Sequence, residues 1–407
     1  MSEIVDDSRP PEIGHVALFA RFLTFGCLAF GGPVAQIAMI RRELVERERW
    51  MSPGHFNRLL AVMQVLPGPE AHELCVHLGI RARGRIGGLL AGLGFMLPGF
   101  ALMMAIAWAY VTFGLAAGVL GAAFMGIQIA VIAVILRAAH RIGQHILEDR
   151  MLWGLAIAAT AATMAGVGFW IVLAGAGTVY ALARAGRRWQ AAGAAALTVA
   201  VGMVDLALAL DRGVGWPTQV AVAAKTIGGA AGTGALFVTG LKAGLLTFGG
   251  AYTAIPFVRA DAVGRGQVSE GQFLDGVALA GVLPAPLVIF CTFVGYVAGG
   301  PLGALAITAG VFLPAFAFSM IFYEHLERVM DVLWLQTLLA GVAAGVVGII
   351  AATTMQLGAA MAERAPSLWP ALLIFGGALA IVYRWNSRLT APVILALAGV
   401  AGWLAFG

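Results

Sequence analysis

FGGPVAQI at residues 30–37 follows one apolar run, and FGGAYTAI at residues 248–255 follows another. Paired glycines interrupt helices, so the chain breaks what reads as the same helix twice, in the middle of membrane-like sequence. The solvent is set by composition. The 407 residues are 61% hydrophobic and 11% charged, and apolar stretches of spanning length recur from end to end, more than a soluble core absorbs. An all-α, polytopic integral membrane protein is expected. The N-terminal MSEIVDDSRPPE is acidic and has no basic segment before an apolar one, so it reads as a short cytoplasmic tail and not as a cleaved signal peptide. Cys27, Cys75 and Cys291 form an odd set inside apolar stretches, which reads as buried small hydrophobes and not as a disulfide framework. A net charge of +5 without a basic block gives no case for nucleic acid.

The match around the two FGG breaks extends outward. WMSPGHF (50–56) pairs with VSEGQF (268–273), VLPGP (65–69) with VLPAP (282–286), HLGIRARGRIGGLL (77–90) with FVGYVAGGPLGAL (293–305), and GFMLPGFALM (94–103) with GVFLPAFAFSM (310–320). Landmarks in one order at nearly constant offset define two copies of one unit. The expected organisation is an N-terminal repeat over 1–185, a linker over 186–230, and a C-terminal repeat over 231–407. The linker holds one apolar segment (190–210) with no counterpart in either copy. With an even number of crossings per copy, that single helix turns the second copy over, giving inverted repeats.

Arginine placement tests this arrangement. Arg41, Arg42, Arg47 and Arg49 follow the first FGG; Arg81, Arg83 and Arg85 follow LPGP; Arg137, Arg141 and Arg150 form a third cluster, and Arg184, Arg187 and Arg188 a fourth. Simple alternation of spans puts the first cluster outside. The conflict disappears if residues 12–48 turn back at Gly31–Gly32 and residues 55–81 turn back at Pro67-Gly68-Pro69, which keeps the N-terminus and every cluster cytoplasmic. An arm such as 56–66 is roughly 16 Å long, about half of a 30 Å hydrocarbon core, so the hairpin tips meet near mid-membrane. The alternative is roughly thirteen continuous, kinked spans.

Broken helices leave N–H groups without partners and point positive dipole ends at the gap, which suits an anion. The candidate substrate contacts are Phe30, Gly31, Gly32, Pro33 and Gln36, then Pro67, Gly68 and Pro69, then Phe248, Gly249 and Gly250, and last Pro284, Ala285 and Pro286. Close packing explains an isolated glycine pair in a chain with 55 glycines; four breaks in matched pairs point to a site. Lys242 is a lone ammonium in an apolar arm, either attracting a divalent oxyanion or snorkelling to the interface. Its counterpart is Thr24, with Arg21 one turn earlier. In PGPEAHELCVHLGI, Glu70, Glu73 and His77 share a helix face while His72 points elsewhere. That face either carries protons or pairs with the nearby arginines. His72 and His77 are misspaced for zinc; no metal or cofactor is expected. No nucleophile with a base and no P-loop is present, so no enzyme is expected. RRELVERERW predicts Arg42–Glu46 and Glu43–Arg47 pairs, and Trp50, Trp153, Trp369, Trp385 and Trp403 read as interfacial anchors.

At FGGPVAQIAMIRRELVERERW, LPGPEAHELCVHLG and FMLPG, the sequence resembles the chromate ion transporter family, long-chain two-domain type. The resemblance covers nearly the whole chain, because the second copy also carries FGG, LPAP and FLPA. It implies a secondary active transporter of oxyanions in the bacterial cytoplasmic (inner) membrane, multi-pass, exporting chromate and conferring chromate resistance, with sulfate as a competing analogue. The lipid bilayer and the oxyanion are then its partners. Other classes remain open: a passive anion channel, or a membrane-embedded thiol redox protein using Cys27 and Cys75. The Gly- and Ala-rich helices suit either a homodimer or contacts between the repeats.

Overall fold

The computed structural model describes residues 10–63, 68–115, 119–211, 232–247, 250–321, 333–385, 387 and 389–407. These form fifteen α-helices and no strand: α1 (His15–Cys27), α2 (Gly32–Ile40), α3 (Pro53–Met63), α4 (Glu70–Phe113), α5 (Val119–Ile146), α6 (Arg150–Ala165), α7 (Phe169–Arg184), α8 (Arg188–Asp211), α9 (Thr233–Leu245), α10 (Ala254–Ala262), α11 (Glu270–Val282), α12 (Phe290–Ile321), α13 (Leu333–Arg364), α14 (Leu368–Arg384) and α15 (Thr390–Phe406). Among the described residues α4, α5, α8, α12 and α13 are long and apolar enough to cross a membrane. Large apolar side chains cover the outside, including Leu197, Val204 and Leu404, as lipid contact requires.

Helices α4 and α12 each reverse direction inside their length. Arg83 (φ −147°, ψ 33°) and Gly84 (φ 62°, ψ −163°) turn α4 back on itself. Gly299 (φ −151°, ψ 21°) and Gly300 (φ 64°, ψ −159°) do the same in α12. The arms then touch backbone to backbone: a Cβ on Gly79 would lie 2.5 Å from the Gly87 carbonyl, and one on Gly295 2.6 Å from that of Gly303. The sequence reading ended its second hairpin at residue 81 on the cytoplasmic side without naming the turn residues, although Gly84 and Gly300 occupy matching places in the two repeats.

Helix α1 lies along the second arm of α4 in the same direction, with Leu18 at Gly87 and Gly26 against Phe95 and Pro98. Helix α9 repeats this on α12, with Leu236 at Gly303 and Gly244 against Val311 and Pro314. After the first FGG break the chain comes back beside α1. Arg21 pairs with Glu48, and the rings of Phe22 and Trp50 lie 6.4 Å apart. Residues 12–48 therefore form a hairpin, closed at its base by an ion pair. The second hairpin, residues 55–81, ends near the start of the first, where Arg83 Nε donates to Ile13 O. Following the Gly79–Gly87 and Val76–Gly92 contacts brings Pro69 level with Gly99. That is roughly 22 Å from the turn at 1.5 Å per residue, half of a bilayer about 45 Å thick with its headgroups.

The two repeats interlock. Gly126 of α5 packs on Ala398 and Gly402 of α15, and Gly341 of α13 packs on Ala176 and Gly177 of α7, one small-residue contact built twice with the halves exchanged. On the second arms, Gly92 meets Phe316, whereas Gly99 meets the tip at Pro284 and Ala285. Continuing the Gly295–Gly303 contact puts that tip level with Pro314, so the arms run antiparallel and the repeats are inverted. Helix α8 stands between them in sequence and rests on α7, with Thr198 filling the space over Gly175.

Three local expectations are corrected. Trp50 is fully buried and donates its indole N–H to Glu48, so it is a hairpin core residue and not an anchor; Trp153, Trp369, Trp385 and Trp403 are exposed. Residues Arg41–Arg47 are π-helical. The wider turn replaces Arg42–Glu46 by Arg41–Glu46 at 3.3 Å, while Glu43–Arg47 stands at 3.0 Å. Among the cysteines, Cys75 and Cys291 are buried but Cys27 is exposed.

Asp149 caps α6 by accepting from the Leu152 amide at 2.8 Å and also takes the Tyr180 hydroxyl at 2.8 Å. Burial pushes its carboxyl up, but these hydrogen bonds outweigh burial and hold it below the ordinary carboxylate range. Its contribution is thus present above the unfolded-state pKa and is lost as pH falls through the lower folded value. Asp149→Ala is expected to cost about 1 kcal/mol, read as a lowered Tm in detergent at neutral pH, with the difference from the parent shrinking in acid.

Candidate functional site

The breaks meet crosswise, each against the other repeat. Gly68 of the LPGP tip donates its N–H to Thr247 O at 2.8 Å, just ahead of the second FGG break. Gln36, one turn into α2 after the first FGG, is 1% exposed. Its Nε2 donates to Ala29 O at 2.9 Å and to Ala285 O, in the LPAP tip, at 2.9 Å. Behind the tips, a Cβ on Gly99 would lie 2.2 Å from that of Ala285, and one on Gly68 3.3 Å from that of Ala315. Gly99 and Ala315 hold equivalent places on α4 and α12, so the exchange is reciprocal.

Helix geometry at each tip follows from its residues. Gly31 (φ 91°) and Gly32 (φ 77°) adopt left-handed backbone, and Pro33 follows in the first turn of α2, where its missing N–H costs nothing. Pro69 caps α4. Phe30 is exposed and Gly31 faces out with it, whereas Gly68, Gly250, Pro284, Ala285 and Pro286 are buried. Pro67, Phe248 and Gly249 lie outside the described residues. The Gly68 amide, one of those expected to face an anion, is committed to the Thr247 carbonyl.

Lys242 is not a lone ammonium. Its Nζ lies 3.2 Å from Asp261 Oδ2, which also accepts from the Thr239 hydroxyl, while Oδ1 takes Arg265 at 3.2 Å. Lys242 closes the base of its hairpin as Arg21 closes the first. Sequence reading missed Asp261 because it stands after the break, where only the tertiary return brings it to α9.

Glu70, Glu73 and His77 are all buried on the first arm of α4. Both carboxylate oxygens of Glu73 lack a hydrogen-bond partner among the described residues, and they lie where a Gly68 Cβ would be, 2.3 Å from Oε1. Arg141 of α5 acts electrostatically on Glu70, and His55 and Arg81 on His77. His72 points away into the other repeat, its ring 4.9 Å from Phe312 and 4.7 Å from Phe316. A second buried carboxylate escaped the sequence reading. Asp275 on α11 is fully buried and accepts from Tyr110 at 2.6 Å and Gln128 at 2.7 Å, joining the repeats at the far end of α4. A lone acid inside the apolar arm QFLDGVALAG was the available signal.

A family model described as chromate transporter matches residues 16–181 and again 234–403. The chain belongs to the chromate transporter family. It is 58% identical to the chromate transport protein of Pseudomonas aeruginosa, over all of this chain and 96% of that one. It is 30% identical to the chromate transport protein of Cupriavidus metallidurans, over 95% of this chain and 92% of that protein. It is 29% identical to the probable chromate transport protein of Synechococcus elongatus, over 94% and 93% respectively. No solved structure matches the chain. The matched regions cover both sets of hairpins, so this family member carries the same motif pair, FGG and LPxP, in each half.

Proposed function

We propose that the protein is a secondary active transporter that exports chromate, and sulfate-like dianions, across the bacterial cytoplasmic membrane, with its N-terminus in the cytoplasm. The observation that carries this reading is the crosswise meeting of four helix breaks half-way along the long arms, in a chain whose full-length relatives are named chromate transport proteins. Irregular backbone at that depth persists only where protein or a watery passage satisfies it, and inverted repeats around such breaks support alternating access by rocking one half on the other. The FGG and LPxP residues that face the passage take the oxyanion. In this reading Gln36 and the Gly68–Thr247 bond couple the tips, so that moving one repeat remakes the contacts of the other.

Glu73 is the proton carrier in this mechanism, with Glu70 and His77 on the route to it. A carboxyl buried without partners is retained at a cost, and its place at the Gly68 tip links protonation to tip movement. The test is flux into proteoliposomes with chromate, sulfate and molybdate under imposed pH gradients. Uphill movement driven by a pH gradient is expected. Strictly downhill flux would make the protein a channel, and loss of activity in a variant lacking all three cysteines would favour thiol chemistry. Glu73→Gln is expected to abolish gradient-driven accumulation while leaving chromate exchange at equal pH within about threefold, since only the proton step is removed.

A further inference from the structure

On the open side of the first FGG hairpin lies a cleft of about 550 Å³ whose lining includes Arg21, Phe25, Phe30, Arg42, Glu43 and Leu389. Phe30, in its lining, is followed directly in the chain by Gly31–Gly32. Leu389, ahead of α15, brings the second repeat to its wall. The cleft thus runs from the arginine-rich base of the hairpin to the break itself.

Its cations are arranged with donors to spare. The Arg21 guanidinium is held by Glu48 and by the ring of Phe25, 5.2 Å from its centroid, while its Nε is buried and lacks a hydrogen-bond partner among the described residues. Arg42 meets Glu43 only through Nε, at 3.3 Å. Glu43 is engaged elsewhere: Arg47 Nη1 lies 3.0 Å from each of its oxygens. The terminal amines of Arg42, on a side chain that is 55% exposed, therefore have no partner among the described residues. Glu48 is shared likewise, since it also takes the Trp50 indole. Among these five described groups, Arg21, Arg42 and Arg47 set three positive charges against the two of Glu43 and Glu48, an excess of one, and Arg21 and Arg42 both line the cleft. Planar forks of this kind bind tetrahedral oxyanions through paired N–H bonds, and a cleft of this size suits a small ligand.

We propose that this cleft is the capture site for the tetrahedral dianion on the cytoplasmic side, with Arg42 and Arg21 as its binding residues and Glu43 as an internal competitor that keeps the captured anion exchangeable. The proposal rests on the transport reading above and adds the site of first binding to it. The test is initial chromate flux against concentration in proteoliposomes, together with chromate binding to the purified protein followed by calorimetry. Arg42→Gln is expected to raise KM and the dissociation constant about tenfold while the maximal rate stays within twofold, with Arg42→Lys in between. Glu43→Gln is expected to move both constants the other way, a result that loss of structure does not produce. Arg85→Gln, exposed at the same end but outside the cleft, serves as the control and is expected to match the parent. If the parent transports and Arg42→Gln leaves KM unchanged, or Arg85→Gln shifts it equally, the capture site is wrong and the transport reading stands. If the parent moves none of chromate, sulfate or molybdate, the transport reading fails and the capture site with it.

Discussion

Gly68→Ala is expected to abolish transport, whereas Gly32→Ala leaves a measurable rate. Both glycines hold backbone that L side chains rarely adopt, φ 150° at Gly68 and φ 77° at Gly32, and each substitution costs roughly 1–3 kcal/mol of strain. Their surroundings separate them. A Cβ on Gly32 meets nothing within 4 Å, while one on Gly68 falls 2.3 Å from Glu73 Oε1. The alanine must therefore drive the buried carboxyl of Glu73 from its place and pull the Gly68 amide off Thr247 O. Flux measured beside thermal unfolding in detergent separates chemistry from folding: transport is expected to vanish at a Tm that still permits a folded protein at assay temperature. A Gly68→Ala protein that transports within twofold of the parent shows that the LPGP tip needs no close approach, and the coupling of Glu73 to the tip is then wrong.

Gln36→Leu carries the second large effect. One side chain satisfies two buried carbonyls, Ala29 O in its own hairpin and Ala285 O in the other repeat. Leucine is near in size but donates nothing, so both carbonyls lose a partner at about 1–3 kcal/mol each. Because the two ends lie in different repeats, the loss falls on the alignment of the repeats as well as on stability. A drop in maximal rate of about a hundredfold is expected, in proportion to some 3 kcal/mol of misalignment, together with a lower Tm. Gln36→Asn, with a shorter reach, is expected to fall between the two. If Gln36→Leu loses stability but keeps its rate, the glutamine is a fastening alone and the crosswise contact has no part in the transport cycle.

Much of this was legible without coordinates. Apolar composition, the recurrence of FGG and LPxP, and the positions of the arginines imply a polytopic helical protein of two inverted repeats with re-entrant hairpins. These are properties of hydrophobic free energy and backbone preference, and both act through near neighbours in the chain. Paired glycines and prolines weaken helices locally, and basic residues are concentrated on one side of a bilayer. The Arg83–Gly84 reversal was less visible, because RARGR reads as an interfacial loop until Gly79 is seen lying on Gly87.

What only the tertiary structure decided is which groups meet. Lys242 reads from sequence as a free cation, but Asp261 returns to it from beyond the break. Trp50 has the flanks of an anchor, yet the hairpin closes over it. The pairing of Gln36 with Ala285 spans 249 residues, and nothing in either segment announces the other. Hydrogen bonds and ion pairs are short-ranged and directional, so a residue's partner is set by the folded path of the whole chain. Membrane location, helix breaks and repeat symmetry come from the residues themselves; the crosswise junction and the charged cleft exist only once the two halves interlock.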